Sequence, residues 1–167
     1  APERNGGVSG ICSKGAERPA PEAPDAFEKA MLDGMRSGEI RFTNGKDATG
    51  VCIPQYEQGF LRQLGTAKML DYSGLNWGPA EAEQLAAAFA YAAQRGGGAA
   101  GGVAVEKRWL TNNRLGSAGV RAVGGAIEAG HLPRLRKLWI DYNGADDETT
   151  EWIERVARAA GCTNVRA

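Results

Sequence analysis

The sequence predicts an α/β fold: a short solenoid with parallel strands on a concave face, helices on a convex face, and an extended N-terminal arm. Three observations point there. Alternating, strand-like runs recur at 40–42, 70–72, 108–110 and 138–140, displaced by 30, 38 and 30 residues. The longer middle displacement coincides with the stretch RGGGAAGGV, so one glycine-rich insertion at 96–102 accounts for the excess. Each of the last three runs is followed by a helix-periodic segment with one narrow stripe of mostly small apolar residues. A unit of about 30 residues cannot bury its apolar side alone, and a fixed period of that length marks a stack.

The clearest unit is LPRLRKLWIDYN, Leu132 to Asn143. Its apolar residues Leu132, Leu135, Leu138 and Ile140 follow neither helix periodicity nor a long strand. They describe an arc of chain, a short strand and a turn.

Taken in order, residues 1–24 form the arm: rich in Pro, Gly and Glu, with little apolar content. A segment of that composition is mobile when free, so a partner surface is expected to hold it. The chain starts at Ala1 without an apolar signal segment, so a removed targeting peptide or a start inside a longer product is expected. Asp25 and Glu28 form an Asp-x-x-Glu capping pattern for a helix over 25–37. Phe27, Met31 and Met35 give that helix one apolar face, and Ser37-Gly38 ends it. The repeat region then spans 38–167. Its first unit pairs Ile40 and Phe42 with an out-of-register helix carrying Tyr56, Phe60, Leu61 and Leu64, as befits an end of a stack. The next three helices carry Leu85, Ala88, Phe89 and Ala92, then Val123, Ala126 and Ile127, then Ile153, Val156, Ala157 and Ala160. Pro79 at a helix start and Gly130 and Gly161 at helix ends fit the usual asymmetry of caps.

With these phases set, the chain resembles leucine-rich repeats of the ribonuclease-inhibitor-like subclass. The pattern L-x-x-L-x-L-x-x-N-x-L-G-x-x-G with its following helix is carried by WLTNNRLGSAGVRAVGGAI (109–127) and LRKLWIDYNGADDETTEWIERVA (135–157). LDYSGLNWGPAEAEQLAAAF (70–89) is similar but divergent, with its asparagine moved to Asn76 and Leu75 in the usual place. The resemblance implies that Asn113 and Asn143 bond neighbouring backbone in the loops. Arg108 departs from it, standing where the strand should be apolar. Either that strand is frayed or the arginine meets a local carboxylate.

Residues flanking the apolar strand positions should point onto the concave face. They read as rows: Arg41, Asp71, Trp109 and Trp139; Thr43, Ser73, Thr111 and Asp141; Asn44, Gly74, Asn112 and Tyr142; Glu39, Met69, Lys107 and Lys137. Trp109 and Trp139 would be strand neighbours beside Tyr142, rimmed by Lys107 and Lys137. An aromatic pair with charged neighbours has the composition of a protein-binding hot spot. The alternative is that the tryptophans lie under the arm or pack on each other. The candidate partner-binding set is Arg41, Asp71, Lys107, Trp109, Lys137, Trp139, Asp141 and Tyr142.

Other chemistry is weakly represented. Lysine plus arginine balances aspartate plus glutamate at 20 each, and no basic stripe with interleaved aromatics suggests nucleic acid. No run approaches about 18 apolar residues, so no spanning helix is expected, although peripheral attachment to a membrane complex is compatible. Cys12, Cys52 and Cys162 lie too far apart for a zinc site, and a Cys12–Cys52 disulfide competes with free buried thiols. His131 reads as a connector residue, and Asp146-Asp147-Glu148 as acids opening a helix. Gly96 to Gly102 lacks the phosphate-loop pattern. The expected function is a non-catalytic, cofactor-free protein-interaction module, a scaffold or accessory subunit holding other proteins with its concave face and arm. An extrinsic subunit of a photosynthetic or respiratory organellar assembly is a narrower version. A thiol-dependent enzyme using Cys52 or Cys162 is the competing class. The compartment stays open between an organelle and the cytoplasm.

Overall fold

The computed structural model describes residues 18–44, 46–96 and 103–167. Most of the arm, Cys12 with its candidate disulfide, and 97–102 of the glycine-rich insertion lie outside the described residues. Among the described residues the fold is α/β, with five α-helices and a four-stranded parallel sheet. The helices are α1 (Pro24–Ser37), α2 (Ile53–Thr66), α3 (Pro79–Arg95), α4 (Gly116–Glu128) and α5 (Asp147–Ala159). The strands are β1 (Met69–Asp71), β2 (Lys107–Trp109), β3 (Lys137–Trp139) and β4 (Asn164–Arg166), adjacent in chain order. Leu70, Arg108, Leu138 and Val165 lie side by side in register. Each strand is only three residues long, so cohesion comes from what packs behind it.

That packing follows the stripes in the sequence. Leu85, Ala88, Phe89 and Ala92 of α3 are buried, as are Val123, Ala126 and Ile127 of α4. On α5, Ile153 and Ala157 are buried while Val156 and Ala160 are partly covered. Leu132, Leu135, Leu138 and Ile140 are all in the core. The small residues let helices approach closely: a Cβ added at Gly124 would collide with the Trp152 ring of α5. Asp146 caps α5, its carboxylate accepting from the Thr149 N–H at 2.7 Å. The Ser117 hydroxyl and that N–H hold its carboxyl down at about 2.

The unit expected at 40–42 is not a strand. The sheet is shifted one unit along the chain and ends instead on β4, at 164–166. The reason lies in α1 and α2, which pair with each other, Phe27 stacking on Tyr56 at 4.0 Å. The Ile40 N–H donates back to the Gly34 carbonyl at 2.9 Å, and its side chain fills the space over Gly34. That turns the chain away from the sheet edge, and a π-helical turn (Ala48–Cys52) runs directly into α2. A smaller expectation also fails. Helix α1 begins one residue early, with Ala23 as its cap and Pro24 in its first turn, so Asp25 sits inside the helix. Asn76 is exposed with φ of 60° and takes no part in bridging units.

Bridging falls to the two other asparagines. Asn113 is buried; its amide donates to the Tyr72 and Leu110 carbonyls at 2.8 and 2.9 Å. Its carbonyl accepts the Leu75 and Trp77 N–H groups at 3.0 and 3.1 Å. Asn143 donates to the Leu110 and Ile140 carbonyls at 3.0 and 2.6 Å. Each asparagine therefore ties its own loop to the loop before it.

Arg108 overturns both readings of it. Strand β2 is paired on both sides, so it is not frayed. The side chain is 0 % exposed, and none of its three guanidinium nitrogens has a hydrogen-bond partner. It lies over the Phe89 ring, 4.0 Å from the centroid. Burial pushes its pKa down to about 9, which leaves it charged at neutral pH. A desolvated cation–π contact contributes about 2 kcal/mol, less than the several kcal/mol that burying an unpaired ion costs.

Replacing Asn113 with alanine is expected to lower unfolding free energy by about 3–5 kcal/mol in urea, because the buried Trp77 N–H, the part-buried Leu75 N–H and the buried Tyr72 carbonyl lose a partner. A loss under about 1 kcal/mol would show that water or relaxation replaces those bonds. Arg108→Met should instead stabilise the fold by about 1–4 kcal/mol. For a base whose folded pKa is depressed, the penalty is complete below that pKa and relieved as pH rises through it. The gap between Arg108→Met and the parent should therefore narrow above about pH 9. Parallel stability curves from pH 7 to 10 would contradict this.

Candidate interaction surface

Among the described residues the sheet has one covered face and one uncovered face. Alternation along each strand turns Leu70, Arg108, Leu138 and Val165 towards the helices. The flanking residues lie on the opposite side: Met69 and Asp71, Lys107 and Trp109, Lys137 and Trp139, Asn164 and Arg166. Asp71, Lys107, Asn164 and Arg166 are exposed, and Trp109, Lys137 and Trp139 are half-buried.

Parallel pairing in register places same-row side chains about 4.8 Å apart, close to the thickness of stacked rings. The row formed by Asp71, Trp109, Trp139 and Arg166 uses that spacing. The Trp109 and Trp139 rings are stacked at 5.0 Å with 11° between their planes. The Arg166 guanidinium lies 4.4 Å from the Trp139 centroid, on the side of β4. Trp139 is also tied to β4 by its indole N–H, which donates to Asn164 Oδ1 at 3.0 Å. The Trp109 indole nitrogen is buried without a partner. The result is a rigid aromatic ledge of two rings and one guanidinium.

Around the ledge, charge is sorted along the strands. Lys107 and Lys137 open β2 and β3; Asp71 ends β1, Asp141 lies two residues past β3, and Arg166 ends β4. Asp71 Oδ1 accepts from the Ser73 N–H at 3.0 Å, and Asp141 Oδ1 from the Thr111 hydroxyl at 2.8 Å. Tyr142 follows on the rim, 79 % exposed. Its φ is 55°, in the left-handed region that a bulky side chain avoids, whereas Gly74 and Asn112 take the same loop position with φ of 68° and 58°. The Tyr142 side chain is thus exposed from a backbone conformation that costs a bulky residue of order 1–3 kcal/mol.

Seven of the eight expected residues share this face or its rim: Asp71, Lys107, Trp109, Lys137, Trp139, Asp141 and Tyr142. Arg41 does not. It precedes α2 outside the sheet and its Nε donates to the Gly38 carbonyl at 3.4 Å. Arg166 takes the fourth place in its row. The signal was present: Cys162 and Val165 repeat the spacing of Leu135 and Leu138, displaced by 27 residues, which places Arg166 against Trp139. Cys162 is correspondingly buried, and burial pushes its thiol up, away from nucleophilic use.

The described part of the arm lies elsewhere. The Trp77 indole N–H donates to the Arg18 carbonyl at 2.6 Å, Tyr56 Oη to the Glu22 carbonyl at 2.7 Å, and Gln84 Nε2 to the Ala20 carbonyl at 3.1 Å. Residues 18–23 are thereby strapped across α2 and α3. Among the described residues no helix is long and apolar enough to cross a membrane, and no group of three or more His, Cys, Asp or Glu gathers as metal ligands. Comparison with protein families, curated proteins and solved structures returns no match to this chain.

Tyr142→Asn, which adopts the neighbouring loop's residue, is expected to stabilise the fold by about 1 kcal/mol by relieving the left-handed strain. Thermal unfolding checks this; a lower melting temperature would mean that the tyrosine ring packs favourably enough to outweigh the strain.

Proposed function

We propose that the chain is a non-catalytic protein-interaction module of the leucine-rich-repeat type, acting as a scaffold or accessory subunit that holds another protein on its uncovered sheet face. The repeat assignment draws support from the in-register parallel strands and from Asn113 and Asn143, each bridging two loops. The observation that carries the function is the half-buried Trp109–Trp139–Arg166 ledge. Such a ledge offers large contact area with little conformational entropy left to lose, the property that makes aromatic and arginine side chains dominate binding energy. The lysines at one edge and the aspartates at the other would set the orientation of the bound partner. Arm residues 18–23, held across α2 and α3, leave this ledge to the partner.

The test is the double variant Trp109→Ala, Trp139→Ala. It should lose the proteins that co-purify with the tagged parent from native extract, with affinity falling by at least 2 kcal/mol as for a central hot spot. Far-ultraviolet circular dichroism should stay unchanged, since both rings lie outside the core. Partner recovery equal to the parent's would remove the ledge as the binding surface.

A further inference from the structure

The ledge is finished at one end and open at the other. On the β4 side, Trp139 is closed by the chain's own Arg166, 4.4 Å away. On the β1 side the residue in register with Trp109 is Asp71, and no ring or cation among the described residues stacks on that face of Trp109. Strand spacing there leaves the width of about one layer. Asp71 is too short and too polar to fill it with a π-surface. Its Oδ1 is engaged by the Ser73 N–H; Oδ2 has no hydrogen bond, and Asp71 has no ion-pair partner among the described residues. Met69, 49 % exposed, borders the same space on β1.

We infer that this place takes a cationic side chain from the bound protein, an arginine whose guanidinium stacks on the open face of Trp109 and pairs with Asp71. The inference deepens the proposed function and rests on the sheet face being the interaction surface. Two features select a cation over other planar groups. An indole face carries negative electrostatic character, so it attracts a guanidinium, and the Arg166–Trp139 contact is the same arrangement already made within the chain. A carboxylate beside the ring favours positive charge and would repel a nucleic-acid phosphate or an acidic side chain. Arginine fits better than lysine because its plane can stack while its N–H fork reaches the carboxylate. Lys107 and Lys137 repel the incoming cation from the strand starts. They direct it to the end where Asp71 and Asp141 lie, so the partner segment crosses the ledge at the strand ends.

The probes are capped pentapeptides Gly-Arg-Gly-Arg-Gly, its lysine and glutamate counterparts, and a ten-residue oligothymidylate, titrated into the isotope-labelled protein. The arginyl peptide is expected to shift the ring signals of Trp109 together with the Ser73 and Thr111 amides. The lysyl peptide should bind several-fold more weakly, and the glutamyl peptide and the oligonucleotide should leave those signals in place. Asp71→Asn keeps an oxygen for the Ser73 N–H while removing the charge; it should weaken the arginyl peptide about fivefold or more, and Trp109→Ala should abolish its binding. Equal affinity of the parent and Asp71→Asn, or a response to glutamate or oligothymidylate in place of arginine, overturns the inference. If the arginyl peptide fails while the double tryptophan variant still loses its partner, the cation layer is wrong and the interaction face stands. If the double variant keeps its partner, the face itself is wrong.

Discussion

Each loop after a strand leaves backbone groups facing the next unit, and the structure depends on how those groups are satisfied. Asn113 uses both ends of its amide on this task, accepting two N–H groups of the preceding loop and donating to carbonyls on both sides of the junction. Asn143 repeats the bridge one unit later. With strands of three residues, ladder bonds alone would be few. Backbone donors and acceptors buried without partners are among the costlier defects in a fold, so these two side chains complete, at the first two junctions, what backbone bonds such as Tyr72 N–H to the Trp109 carbonyl and Leu110 N–H to the Trp139 carbonyl begin. The helices then close over the small-residue stripes.

The same constant spacing creates the aromatic ledge. A row of side chains repeated at strand separation becomes a stack as soon as the residues are planar, and Trp109, Trp139 and Arg166 are. The ledge is backed by a sheet tied to the core, and it lies on the far side of the sheet because both ends of each short strand turn their side chains away from the helices. The ends of the stack are handled differently. At the start, α1, α2 and residues 18–23 cover the apolar side; at the finish, β4 contributes an exposed asparagine and arginine. Between them sits Arg108, a charged group in a row of apolar neighbours, held by the ring of Phe89 without a hydrogen bond. Its burial is a stability cost, and nothing else in the described residues explains its presence.

Much of this was legible in the sequence because side-chain alternation and helix periodicity are local. The residues that face the core in the last three units, the helices behind them and seven residues of the sheet face and its rim follow from spacing; the roles of Asn113 and Asn143 were what the resemblance to leucine-rich repeats implied. The run at 40–42 did not follow, because alternation over three residues states only that a strand could form. Whether it forms depends on a neighbouring edge, and the pairing of α1 with α2 and the Ile40–Gly34 bond take the chain elsewhere. The final strand was missed for the converse reason: Cys162 and Val165 keep the spacing, but a cysteine and a single valine are a faint apolar signal.

By itself, then, the sequence determined the period of the chain, the apolar stripe of each helix and the face on which each strand residue lies, since these are consequences of backbone geometry. Only the tertiary structure decided which units join the sheet, that Arg108 is buried intact, and that Arg166 completes the stack on Trp139. Those outcomes turn on contacts between residues far apart in the chain. Their strength depends on what else is packed at the same place, and spacing along the sequence carries no record of that.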